Sequence, residues 1–229
     1  MLAGVIVQVY GVTTVEDAAG VNALRPDNVG VVLDEGVDTW DSVNEAMARA
    51  VVAQLTDVNV VALSLSTDPD RVRSTVVTVE PAVVHLARAV NGLGIDTVAQ
   101  LHDDLGPVRV MVTIPVRDST SIEGAQRYAA VSDYLLLDTM HPRTGVIGAT
   151  GLTHDWSLSA RIVGAASVPV VLAGGLGPDN VRDAIRAVAP DGVDSETNTS
   201  RVDDRRRKDL EKVGRFIANA RSTIGAHDG

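Results

Sequence analysis

VPVVLAGGLGPDNVRDAIRAVAPDGVDSET, residues 168–197, holds one complete repeat of the pattern that runs through this chain. A β-branched apolar run (168–175) stops at Gly174-Gly175. A helix-period stretch, PDNVRDAIRAVA (178–189), follows, and a second short run begins at DGVDSET (191–197). Runs that are apolar at nearly every position suit parallel strands covered on their outer face by helices, because neither face of such a strand meets water.

Working outward, the same alternation recurs. Six further runs read as strands: GVIVQV (4–9), NVGVVL (28–33), VNVVALSL (58–65), TVAQLH (97–102), VRVMVTIP (108–115) and DYLLLD (133–138) precede the pair at 168–175 and 191–197, giving eight in all. Between them lie helix-period segments: VEDAAGVNAL, SVNEAMARAVVAQL, PAVVHLARAVNGL, SIEGAQRYAAV and PDNVRDAIRAVA, with KDLEKVGRFIANAR closing the chain. Ser42 with Glu45 three residues on, and Pro178-Asp179, are helix-start signals. Eight strand-then-helix units in 229 residues predict an α/β fold, a (β/α)8 TIM barrel, as a single domain over residues 1–229. The glycine-rich turn of a doubly wound open sheet is absent after the first strand. Residues 66–79 read as a long connection, either a lid or hairpin or a plain surface insertion.

Composition narrows the function classes. Thirty acids against 20 basic residues give a net charge of −10, which disfavours nucleic acid and anionic membranes as partners. Only two of the basic residues are lysines, Lys208 and Lys212. Few lysines and many aspartates fit a protein that works in high salt; a GC-rich genome is the alternative. Arg205-Arg206-Arg207-Lys208 reads as a solvated helix start with no partner. With no cysteine there is no disulfide, thiolate metal site or thiol nucleophile. No apolar run is long enough to span a membrane, and MLAGVIVQV carries no leader-like basic region, so a cytoplasmic location is expected.

In a barrel, chemistry gathers at the C-terminal ends of the strands. The polar groups expected there are Gln8, Tyr10, Asp34, Glu35, Ser64, Ser66, Gln100, His102, Thr113, Asp138, Gly174, Gly175, Asp194, Glu196 and Thr197. Asp138 follows three leucines, and a carboxyl at the rim of a dry cavity has a raised pKa suited to a general acid; a loop cap is the alternative. Gly174-Gly175 lets backbone N–H groups approach an anion, or simply makes a tight turn. His102 ends an expected strand, whereas His85, His141, His154 and His227 read as structural or exposed.

Several stretches together resemble the phosphoribosylanthranilate isomerase family: GVTTVEDA (11–18), VAQLHDD (98–104), LLLDTMHPRTG (135–145), TGLTHDWSLS (150–159) and VVLAGGLGPDNVRDAIRAVAPDGVD (170–194). The resemblance implies an Amadori rearrangement of a phosphorylated pentose derivative, with Asp138 as general acid. Gly174, Gly175, Thr197 and Asn198 would hold the phosphate, and Gln8, Gln100, His102 and Asp194 would bind other parts of the substrate. It implies no metal and no organic cofactor, and a monomer or homodimer. The family's Lys-x-Cys-Gly, whose cysteine is the base, aligns with Gln8-Val9-Tyr10-Gly11, so the base would be Tyr10 or a water. The family's carboxylate-binding arginine after the second strand has no counterpart in 34–40. Two other functions stay open: a barrel enzyme on another sugar-like substrate, with Asp138, Asp194, Glu196 and His102 holding a divalent cation, and a barrel used for binding or assembly.

Overall fold

The computed structural model describes residues 4–33, 36, 39–139 and 155–223. Eight parallel strands close into a barrel: β1 (Ile6–Val9), β2 (Asn28–Leu33), β4 (Asn59–Ser64), β5 (Val83–Leu86), β6 (Arg109–Val116), β7 (Tyr134–Thr139), β8 (Val170–Leu172) and β9 (Gly192–Ser195). Pairing of β1 with both β2 and β9 closes the ring. A two-residue strand, β3 (Ser42–Val43), lies against the end of β2.

Alternate strand residues build two separate cores. One lies between the strands and the surrounding helices α1 (Val15–Leu24), α2 (Glu45–Val52), α3 (Pro69–Val79), α4 (Ile95–Asp104), α5 (Thr120–Ala129), α6 (Trp156–Ala165), α7 (Val181–Val188) and α8 (Leu210–Ser222). The other fills the barrel itself and contains Tyr10, Val32, Val61, Val83, Met111, Leu136, Val171 and Ala173. This period of two sends Asp138, two residues beyond Leu136, toward the barrel mouth.

Four expectations are corrected. Residues 97–102 are not a strand: they form the middle of α4, with Val98 and Leu101 buried three apart as on a helix face. The missing strand is β5, inside the segment read as the helix PAVVHLARAVNGL; its four residues are buried on both faces. Residues 66–79 hold no lid or hairpin but α3, which starts at Pro69 with Asp68 as its cap. The cap of α2 is Asn44, accepting from Met47 N at 2.9 Å, and Ser42 belongs to β3. Asp34, Glu35, His141, His154 and His227 lie outside the described residues.

Candidate active site

A cavity opens at the C-terminal ends of β7, β8 and β9. Asp138, Gly174, Gly175, Asp194, Ser195, Glu196, Thr197 and Asn198 line it. Each expected carboxyl arrives there because it ends an apolar run on the barrel-facing side of its strand. Burial pushes Asp138 up to about 7, against the pull of the Thr139 N–H at 2.7 Å. Burial, then the Asp138 charge, pushes Asp194 up to about 8, and the Gln8 amide and Lys208 pull it down. Two carboxyls in one cavity therefore change charge near neutrality, as acid–base groups must.

Gly174 and Gly175 both have positive φ, 83° and 67°. That left-handed backbone turns β8 sharply and leaves the N–H groups of Gly174 and Gly175 free of backbone hydrogen bonds among the described residues; those of Thr197 and Asn198 are free as well. Such a cluster of donors suits an oxyanion. The Asn198 side chain is committed elsewhere: its Nδ2 donates to Gly175 O at 2.8 Å and braces the two loops together.

Glu196 does not face this donor cluster. A Cβ built on Gly11 (φ 73°) would lie 3.0 Å from Glu196 Oε1 and 3.4 Å from Lys208 Nζ, so the glutamate folds over the turn after β1. Burial raises its pKa well above the ordinary value, with Asp41 adding to the rise. Lys208 Nζ donates to Glu196 O at 2.9 Å and to Ser200 Oγ at 3.0 Å. Burial lowers this ammonium to about 8, although Glu196, Asp194, Asp41 and Asp17 all hold its charge.

The basic cluster at 205–208 lies just before α8 with Arg205 and Arg206 exposed, but it is not without partners. Ser200 and Lys208 pair as an antiparallel bridge, and the residues between them strap the N-terminal loops down. Arg207 forks onto Asp17 at 2.9 and 3.2 Å, Lys208 N adds a third bond to the same carboxylate at 3.0 Å, and Arg206 donates to the carbonyls of Trp40 and Ser42. The Arg205 guanidinium stands 4.5 Å over the Trp40 ring. Repulsion within the run is outweighed because each cation has its own acceptor or ring.

Tyr10 is buried, and its ring lies inside the barrel across β2. Gly30 is needed for this, since a Cβ there would come 2.0 Å from Tyr10 Cδ1. The hydroxyl meets His85 Nδ1 at 2.7 Å, and His85 Nε2 meets Thr113 Oγ1 at 2.6 Å. Burial lowers His85 to about 3, so the imidazole is neutral. Burial and then the Asp194, Glu196 and Asp41 charges raise the Tyr10 phenol well above its usual value. Tyr10 as a base is therefore corrected: no tyrosinate exists near neutrality, and the hydroxyl is already bonded. Gly30→Ala is expected to destabilise the fold by about 2 kcal/mol through overpacking. In Gly30→Ala/Tyr10→Leu the loss should be smaller than the sum of the two single losses, as measured by chemical denaturation.

The remaining expectations divide. Gln8 sits inside the barrel beneath Tyr10, fully buried, and accepts from Asn28 Nδ2 at 3.0 Å; it does not line the cavity. Gln100 is exposed on α4, and His102, on the same helix, reaches Asp133 at 3.4 Å on the outside of the barrel. Neither reaches the mouth. The proposed cation set loses its histidine, and among the described residues no three His, Asp or Glu side chains converge as a metal site. Sequence reasoning missed Lys208, Asp41 and His85. The scarcity of lysine was the one available signal for Lys208.

The match to known proteins is nearly end to end. The family model for N-(5'-phosphoribosyl)anthranilate isomerase matches residues 10–219. The chain belongs to the phosphoribosylanthranilate isomerase family. It is similar to the N-(5'-phosphoribosyl)anthranilate isomerase of Haloferax volcanii, 37% identical, with 97% of this chain and 96% of that one covered. The Haloarcula marismortui protein of the same name is 32% identical, with coverage of 94% and 95%. A solved family member from Thermotoga maritima superposes with a TM-score of 0.80 at 27% identity, covering 95% of this chain and 99% of that one. Another family structure, holding reduced 1-(o-carboxyphenylamino)-1-deoxyribulose 5-phosphate, gives 0.77 at 25% identity, again with 95% and 99% covered.

Proposed function

We propose that this chain isomerises N-(5'-phosphoribosyl)anthranilate to its 1-deoxyribulose form, the activity for which its relatives are named. The observation that carries this is Asp138, a half-buried carboxyl that keeps its proton up to about pH 7 in the cavity that holds the Gly174–Gly175 and Thr197–Asn198 donors. With the substrate phosphate on those backbone N–H groups, Asp138 gives its proton to the furanose ring oxygen. The C1–O bond breaks, its electron pair stays on oxygen, and the anthranilate nitrogen lone pair forms the C=N bond. Folding Glu196 toward Gly11 and Lys208 keeps its carboxyl off the phosphate.

Incubating the purified chain with phosphoribosylanthranilate and following sugar C1 and C2 by proton NMR tests the reaction; absence of turnover in both low and molar salt would reject it.

The net charge of −10 and the likeness to proteins of salt-loving archaea support a cytoplasmic enzyme adapted to high salt. Among the described residues no helix is long and apolar enough to cross a membrane. A Thermotoga maritima relative is described as dimeric and has been obtained as monomers, so either state suits this chain.

A further inference from the structure

We propose that Asp194 is the base that removes the sugar C2 proton, held for that task by a ladder of three amides, Gln8, Asn28 and Asn59. The assignment rests on the isomerase reading above, which needs a second group once Asp138 has opened the ring. Tyr10 is spent on His85. Glu196 is folded over Gly11 beside Lys208 and Asp41. Asp194 lines the same cavity as Asp138, is 7% exposed, and keeps Oδ1 buried without a hydrogen-bond partner.

The ladder follows the strand register. Asn59 faces Asn28, Asn28 faces Gln8 and Gln8 faces Asp194, on β4, β2, β1 and β9 in turn. Asn59 Nδ2 donates to Asn28 Oδ1 at 3.2 Å, and Asn28 Nδ2 donates to Gln8 Oε1 at 3.0 Å. Every amide runs in one sense, so the donor left over is Gln8 Nε2, buried and short of a formed hydrogen bond. It belongs to the side chain directly opposite Asp194. Aligned amide dipoles reinforce one another in a dry interior, and a neutral donor orients a carboxylate without quenching its basicity as a cation would.

The charged and titratable groups around Asp194 are Asp138 from β7, Lys208 from the strap, Glu196 from the loop after β9, and Tyr10 from the end of β1. Asp138 opposes a charge on Asp194, while Lys208 and the Gln8 amide favour it. In the step itself the C2–H electron pair forms C1=C2, the C=N electrons return to nitrogen, and Asp194 takes the proton. The resulting enol becomes the ketone as a proton is added at C1 and the C2 hydroxyl releases its proton to water.

The test combines kinetics with infrared titration of the Asp194 carboxyl, whose band is identified by difference against Asp194→Asn. Asp194→Asn is expected to lower kcat at least about 100-fold with KM nearly unchanged; wild-type kcat in that variant overturns the base. Gln8→Met is expected to move the ascending limb of kcat/KM, and the infrared titration of Asp194, up by about one pH unit. Activity should then recover at high pH, which a purely structural defect would not allow. An unmoved titration overturns the ladder. Should Gln8→Met not fold, Asn59→Ala at the exposed end should give a smaller shift in the same direction, and no shift overturns the ladder equally. Wild-type protein that turns over no phosphoribosylanthranilate rejects the isomerase reading and the base with it, while the infrared titration still judges the ladder.

Discussion

Asp138→Asn is expected to lower kcat by about 10²–10⁴-fold, the usual worth of a positioned proton donor. Asparagine has the same shape and retains an oxygen to accept the Thr139 N–H, so KM and the fold should change little. What disappears is the proton for the ring oxygen. In the wild type that proton is held up to about pH 7 by burial. Turnover through Asp138 should therefore fall as pH rises past 7, and the residual rate of Asp138→Asn should lack that limb. Steady-state kinetics over pH 5–9 checks both, and a variant within fivefold of wild type would remove Asp138 from the chemistry.

Asp194→Asn should be more stable than wild type at alkaline pH, by on the order of 3 kcal/mol. The folded protein holds the Asp194 proton to about pH 8, whereas the unfolded chain releases it near 3.8. Between those values the native state binds more protons than the unfolded state. The stabilisation from this site is complete below about pH 4 and is lost as pH climbs through 8; Asp138 acts in the same direction up to about 7. Asparagine carries no proton to lose. Chemical denaturation at pH 5.5 and 8.5 should show a clearly larger advantage of the variant at the higher pH. An equal difference at both would mean that charge on Asp194 is not what strains the site.

The groups legible in the sequence were those that local pattern determines. Asp138 and Asp194 each end a buried run, and Gly174-Gly175 breaks one, so strand reading alone sent them to the mouth. Two segments were exchanged because periodicity is ambiguous over four to six residues. VVHL, four residues buried on both faces, has no alternation to mark it as a strand, and its flanks continued a helical rhythm. TVAQLH opens with β-branched residues yet packs Val98 and Leu101 as a helix does. That exchange put His102 on a barrel strand in place of His85. Lys208 and Arg205 were illegible for a different reason: they act on residues far away in sequence, and no local pattern records such a contact.

Arg207 and Asp17 are separated by 190 residues, and β1 finds its second neighbour only in β9. During synthesis, the first strand and α1 must wait with exposed edge and unmatched carboxylate until residue 207 has emerged. Closure of the ring and tightening of the strap then join distant segments late in synthesis, so a ribosome stalled before residue 192 would hold an open, adhesive sheet.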